Sequence, residues 1–203
     1  MSVADRVKWD ERYRAGAYVD REHPSAMLAE WETRLPRGRA LDVACGAGRN
    51  SLFLAATGRS VDAVDISTVG LDRARQTAQA RRLQVRWIEA DLDDDPAVVL
   101  PREPYDLIVL IRYVNARLLN PLLERLAPNG MLLCEQHLES SEDVVGPKTP
   151  AFRLRRNELL RDVMGKCEPG DTVVHYSEGI VVDPDGQRAA LARLVLLRTR
   201  IAR

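Results

Sequence analysis

The run Ala40-Leu41-Asp42-Val43-Ala44-Cys45-Gly46-Ala47-Gly48-Arg49-Asn50, followed by Val61-Asp62-Ala63-Val64-Asp65, decides how this chain is read. It spells a short buried strand, a glycine-rich turn, a helix, a second strand, and an acid at that strand's end. Gly46 and Gly48 carry no Cβ, so backbone there can come close to a ligand. Asp65 stands 19 residues beyond Gly46, where a βαβ unit presents a carboxylate to ribose hydroxyls. The implied ligand is a nucleoside-containing cofactor.

Two cofactor classes share this pattern. A dinucleotide fold carries G-x-G-x-x-G, whose third glycine lets helix and strand pack closely. Ser51 occupies that position here, and Asp42 stands within the first strand, four residues before Gly46. The run Asp42-Val43-Ala44-Cys45-Gly46-Ala47-Gly48 resembles motif I of class I S-adenosylmethionine-dependent methyltransferases. Further segments follow in that family's order. Glu89-Ala90-Asp91-Leu92 is similar to its adenine-contacting segment, Tyr105 to Leu110 to its fourth strand, and Leu126-Ala127-Pro128-Asn129-Gly130 to the turn into its fifth. Trp9-Asp10-Glu11-Arg12-Tyr13, together with Gly48-Arg49-Asn50, resembles the tellurite-resistance-type and thiopurine-methyltransferase-like branch.

The resemblance implies S-adenosylmethionine as cofactor and S-adenosylhomocysteine as its product. Carried over position by position, it implies cofactor contacts at Asp42, Cys45, Gly46, Ala47, Gly48, Arg49, Asn50, Asp65, Ile66, Ala90, Asp91, Leu92 and Arg112. In that branch the N-terminal segment folds over the cofactor, which adds Tyr13, one helical turn beyond Trp9. Plainer alternatives stand beside these roles. Asp65 could cap the next helix. Asp91 to Asp95 could be a solvated acidic loop, Arg49 a surface residue at a helix start, and Trp9 and Tyr13 ordinary packing.

Composition sets the frame. The chain's 203 residues suffice for one α/β domain. Hydrophobic residues are 45% and charged ones 30%, as in ordinary globular chains. Thirty basic and 30 acidic residues cancel, so no overall field draws in nucleic acid or an anionic membrane. No apolar run approaches the roughly 20 residues that span a bilayer, and Met1 to Arg6 lacks the apolar core of a signal peptide. The expected location is the cytoplasm. Cys45, Cys134 and Cys167 form no C-x-x-C pair, which argues against a disulfide framework or a structural zinc, and no metal is expected.

Strands and helices alternate along the chain. Helices are expected from Ala4 to Arg14, Ser25 to Leu35, Arg49 to Thr57, Ser67 to Arg82 and Asn115 to Leu126. Strands are expected at Arg39–Ala44, Ser60–Val64, Val85–Glu89, Tyr105–Ile111 and Met131–His137. Asp93-Asp94-Asp95-Pro96 reads as a loop, Glu139 to Pro150 as a mobile polar loop, and Ala151 to Val163 as a short helix with its lead-in. The ending differs in kind: Asp171 to Val182 and Ala190 to Ile201 are long strands joined at Asp183-Pro184-Asp185-Gly186, an antiparallel hairpin. The class I resemblance completes the architecture. It is α/β, Rossmann-like and doubly wound, with a mostly parallel seven-stranded sheet, a C-terminal antiparallel hairpin and helices on both faces. One domain is expected over 1–203: a helical cover at 1–36, a cofactor-binding core at 37–138, and an acceptor-side loop, helix and hairpin at 139–203.

In an open α/β sheet, ligands sit beyond the carboxyl ends of the strands. The cofactor would fill the ends of strands one to three, leaving the acceptor to Arg112 and Tyr113 after strand four, His137 after strand five, and Arg153. Those arginines point to a small polar or anionic substrate, unless Arg112 and Arg153 merely pair with Glu135 or Glu158. A sulfonium methyl is already activated, so positioning can provide most of the rate and a general base is not required. Three readings follow: a small-molecule methyltransferase, an NAD(P)-dependent oxidoreductase, and a cofactor-binding module or protein methyltransferase acting with a partner.

Overall fold

The computed structural model describes residues 3–95 and 99–199. Pro96 and Ile201, read above as part of a loop and of the last strand, lie outside the described residues. One seven-stranded sheet organises the rest, in the order β3-β2-β1-β4-β5-β7-β6. Its strands are β1 (Arg39–Val43), β2 (Ser60–Asp65), β3 (Val85–Glu89), β4 (Tyr105–Ile111), β5 (Leu126–His137), β6 (Thr172–Val182) and β7 (Arg188–Leu197). β1 to β5 pair in parallel, whereas β7 runs antiparallel between β5 and β6. Strand order reverses between β1 and β4, so a crevice opens at their carboxyl ends.

Alternation along the strands divides the core in two. Leu107, Val109 and Ile111 of β4, with Ala40, Val61, Leu133 and Val195, face α2 (Ala26–Trp31) and α3 (Arg49–Ala56). Ile108 and Leu110, with Leu41, Val43, Leu132 and Leu194, face α5 (Leu119–Glu124) and α6 (Glu158–Met164). α4 (Thr68–Ala80) adds Leu71 to a small cluster with Cys45 and Ala63. Flanked on both sides, β7 is mostly buried and apolar on either side of Arg193, while β6 at the edge is mostly half-exposed.

Helix starts follow cap chemistry. Ser67 accepts the Gly70 amide at 3.0 Å and Ser25 accepts that of Leu28 at 3.3 Å, each satisfying one orphan donor. The expected helix from Asn115 to Leu126 is shorter. It is a 3-10 turn at Ala116–Leu118 followed by α5, and β5 begins at Leu126 rather than at Met131. The reason is pairing: Tyr105 already aligns with Leu126, and the ladder skips register before Leu107 meets Met131. The Leu126-to-Gly130 turn is therefore an irregularity inside a strand, with Asn129 at φ +64°.

α1 (Val3–Arg14) is docked by polar contacts rather than by an apolar stripe. The Asp10 carboxylate accepts the Ser67 hydroxyl at 2.6 Å and the Val69 amide at 3.2 Å. Arg73 donates to the carbonyls of Tyr13 at 2.6 Å and Ala17 at 3.0 Å, and Arg6 pairs with Glu89 at 3.0 Å. These contacts lay α1 across the start of α4 and the end of β3. Among the described residues, no helix is long and apolar enough to cross a membrane.

Candidate functional site

A small cleft of about 70 Å³ opens where strand order reverses, lined by Trp9, Tyr13, Ala44, Asp65, Ile66, Leu92, Arg112 and Tyr113. β1 delivers Ala44 in the left-handed region at φ +57°, and β2 delivers Asp65. Of the residues anticipated from sequence, Tyr13, Asp65, Ile66, Leu92, Arg112 and Tyr113 meet here.

Asp65 organises the turn. One carboxylate oxygen accepts the Gly46 amide at 2.7 Å and the other the Ser67 amide at 2.8 Å. The Ile66 amide also lies within bonding reach of this carboxylate, which leaves about one of its four lone-pair sites, and the side chain borders the cleft. The cap-like alternative and the ligand-facing role are therefore compatible. Burial raises the Asp65 pKa against the pull of these amides.

Asp42 and Ser51, the two departures from a dinucleotide pattern, prove to be one interaction. The Ser51 hydroxyl donates to Asp42 at 2.5 Å beneath the glycine turn, and both side chains are buried. Serine at that position thus supports the strand-one acid instead of providing close packing. Burial pushes Asp42 up to about 7, against the Ser51 bond and the nearby Arg49 charge. A carboxylate whose folded pKa exceeds its unfolded one adds stability below the unfolded value and loses it as pH rises through the folded one. Wild type should therefore lose stability relative to Asp42→Asn between about pH 4 and 7, as read by urea unfolding at stepped pH. Parallel profiles would count against a buried, titrating Asp42.

The rest of the turn divides. Cys45 is buried against Ala63 and Leu71. Burial and the charges of Asp65 and Asp42 push its thiol well up, so it is no nucleophile. Asn50, expected at the cofactor, instead accepts the Ser25 amide at 2.9 Å and ties α3 to the α2 start. Arg49 lies within electrostatic reach of Asp42 beneath the turn, and of Arg112, Asp183, Arg21 and Glu135. Ala90 and Asp91 lie just beyond β3, where Asp91 accepts the Asp93 amide at 2.9 Å.

Tyr13 sits on bare glycine. A Cβ at Gly46, where φ is +57°, would lie 2.3 Å from the Tyr13 hydroxyl oxygen, and one at Gly70 would lie 3.0 Å from its ring. Glycine within α4 costs about 1 kcal/mol against alanine; the close approach of the ring explains it. Gly70 was missed, although an isolated glycine in a helical pattern is a signal of such packing. Burial and the Asp65 charge raise the Tyr13 pKa, so the phenol stays neutral.

Arg112 is not a free cation. Its Nε donates to Glu135 at 3.0 Å, and its two terminal nitrogens grip Asp183 at 2.7 Å each. Burial alone would lower its pKa, but Asp183 and Glu135 outweigh that and raise it. The pairing with Glu135 follows the plainer sequence alternative. Asp183 was anticipated only as part of the hairpin turn, because no local pattern links it to Arg112. Arg153 is likewise engaged: Nε and Nη1 donate to the carbonyls of Pro147 and Leu138, both at 2.7 Å, and Glu158 accepts the Arg155 amide instead. It therefore pins the 139–153 segment. His137 is buried on the Glu135 side of β5, and burial with the Arg112 and Arg153 charges lowers it to about 4, a neutral ring near pH 7.

The groups at this cleft suit S-adenosylmethionine: the Gly46 turn held by the Asp65 carboxylate at the β2 end, and apolar Ile66 and Leu92 beyond it. The comparisons agree. Residues 40–130 match a family model described as a methyltransferase domain. The ubiquinone biosynthesis O-methyltransferase of Rickettsia akari (strain Hartford) is 24% identical over 112 residues, 53% of this chain and 43% of that protein. The chain thus spans less than half the length of this curated relative. TehB from Haemophilus influenzae aligns with TM-score 0.68 and 20% identity, over 85% of this chain and 61% of that one. An S-adenosylmethionine-dependent methyltransferase from Methanosarcina mazei gives 0.66 and 15%, over 84% and 97%. The fold is that of class I S-adenosylmethionine-dependent methyltransferases, and the methyltransferase-domain match over 40–130 implies S-adenosylmethionine as cofactor.

Proposed function

We propose that this chain, class I by fold and with a methyltransferase domain at residues 40–130, methylates a small polar or anionic acceptor. A thiol, a chalcogen oxyanion or a similar nucleophile would serve. The observation that carries the reading is the joining of the Gly46 turn to Asp65 in one cleft, bordered by Arg112 and Tyr113 on the β4 side. The cofactor supplies an activated methyl group when bound. Asp65 would hold a ribose hydroxyl through its remaining lone pair, and Ile66 and Leu92 would flank the base. Asp91, at the end of β3, would contribute to adenine recognition.

Trp9 and Tyr13 form the wall toward α1, their rings 6.3 Å apart. Such a cover excludes water from the reacting centre and strengthens electrostatic interactions inside it. Tyr113, whose hydroxyl donates to Asp93 at 3.2 Å, closes the acceptor side. The tellurite-resistance-type branch is supported by the α1 sequence and the TehB likeness. A cytoplasmic small-molecule enzyme is the setting that fits this reading best. The Asp42–Ser51 bond disfavours the NAD(P) alternative, because the third glycine of that motif exists for close packing.

Calorimetry with S-adenosylmethionine, S-adenosylhomocysteine and NAD tests the first step. Both adenosyl ligands should bind and NAD should not; tight NAD binding without S-adenosylhomocysteine binding would overturn the reading. Labelled cofactor incubated with thiols, chalcogen oxyanions and phenols then identifies the acceptor class, and transfer only to protein would reject a small molecule.

A further inference from the structure

The chain from α1 to α2 crosses the carboxyl edge of the sheet. On one bank, Arg6 pairs with Glu89 at the end of β3, at 3.0 Å. Tyr13 then lies over Gly46, just beyond β1, and Arg73 of α4 holds the carbonyls of Tyr13 and Ala17. On the far bank, Arg21 reaches the β6–β7 turn. Its Nε pairs with Asp185 at 3.0 Å and its Nη2 donates to the Gln187 side-chain oxygen at 2.8 Å. That turn stands at the same edge as the cleft, because β7 runs antiparallel to β5 and sets Leu191 beside His137. In sheet order the anchors run from β3 over β1 to β7, so residues 15–23 form a strap fastened on both banks.

Beneath the strap the cleft is shut. It measures about 70 Å³, whereas pockets for small organic ligands run from about 300 to 1,000 Å³. Tyr13, Asp65 and Leu92 are all buried. A ligand can reach the Asp65 carboxylate only after the Tyr13 ring moves off the glycine turn. The β6–β7 turn is the fixed side of the closure: the Asp183 amide donates to the Gln187 carbonyl and the Gly186 amide to that of Asp183, both at 2.8 Å. Asp183 also grips Arg112 of the cleft. The strap is the movable side, with Tyr18, Val19 and Asp20 exposed.

We infer that the contacts of Arg21 with Asp185 and Gln187 are a releasable clasp, and that its opening gates the passage of S-adenosyl ligands into and out of the cleft. The identity of the ligand rests on the methyl-transfer reading; the clasp itself does not. The Arg21 and Asp185 side chains are 16% and 20% exposed, so water can replace this pair, whereas the Arg112–Asp183 pair beside it is 10% and 1% exposed and stays closed. Past the strap, the Ser25 amide on Asn50 fixes the chain to the core again and supplies the pivot. Entry and exit use one gate, so both rates depend on the fraction of time that the clasp is open.

Two measurements on the full chain test this: amide hydrogen exchange without ligand, and stopped-flow binding of S-adenosylhomocysteine, with Trp9 in the cleft wall as the fluorescent signal. Arg21→Gln and Asp185→Asn should each speed exchange over residues 9–21 about tenfold, as expected for loss of a charged hydrogen bond, and leave β1 and β2 unchanged. Association and dissociation rates should both rise by a similar factor, with the dissociation constant changing less than either. The double variant should go no further than the stronger single one, because both break one contact. Arg188→Gln, which loses an exposed pair with Glu142 on the same hairpin, should match wild type throughout. Circular dichroism establishes folding, and Gln187→Ala, at an exposed position, gives a smaller change in the same direction if the charge variants misfold. Unchanged exchange overturns the proposal, and so does faster exchange with unchanged ligand rates. Faster dissociation alone also overturns it, because the strap would then be a ligand contact and not a gate. Faster exchange in a protein that ignores S-adenosylhomocysteine would preserve the clasp and reject the methyl-transfer reading.

Discussion

Glu135→Ala is expected to lower the free energy of unfolding by about 3–5 kcal/mol, the cost of breaking a buried ion pair from one side. Glu135 is fully buried in β5, and each carboxylate oxygen takes one guanidinium, Arg112 on one and Arg193 on the other. Its loss leaves two buried cations sharing Asp183 and a distant, exposed Glu30. Glu135→Gln keeps the shape and one acceptor, so it should fall between wild type and alanine. Urea unfolding with matched m values decides the matter. A loss under about 1 kcal/mol, the range of exposed pairs, would mean that water reaches this cluster.

The second large effect is expected at the glycine turn. Gly46→Val should weaken S-adenosylhomocysteine binding about a hundredfold or more, roughly 2.7 kcal/mol. Two physical causes combine. Gly46 has φ +57°, a left-handed backbone that a β-branched residue resists. Its added Cβ would also lie 2.3 Å from the Tyr13 hydroxyl, forcing α1 away from the cleft. Gly46→Ala combined with Tyr13→Ala separates the causes. If Tyr13 is the obstacle, the double variant should bind better than Gly46→Ala alone; if backbone strain dominates, it should not. Calorimetry on folded protein reads both, and wild-type affinity in Gly46→Val would remove the turn from the ligand site.

Sequence was a good guide wherever local patterns carry the physics. The β1 turn, the Ser67 cap and the limits of β3 and β4 coincide with expectation, because alternation and capping act over a few residues. The hairpin ending was legible for the same reason. Boundaries failed where pairing overrode propensity, as at Leu126, which joined β5 through its partner Tyr105. Within the cleft, Asp65, Ile66, Leu92, Tyr13, Arg112 and Tyr113 were named from motif and strand-end position.

By itself, the sequence determined an α/β chain with a glycine turn, an acid 19 residues on, and a closing antiparallel hairpin. Each of these is written in residues that are neighbours along the chain or separated by one βαβ unit. Only the tertiary structure decided which charges are free. Arg112 meets Asp183 across 71 residues and Arg193 meets Glu135 across 58, pairs that depend on β7 inserting between β5 and β6. Electrostatic partnership in a buried site depends on distance and desolvation, which a linear list of arginines does not contain.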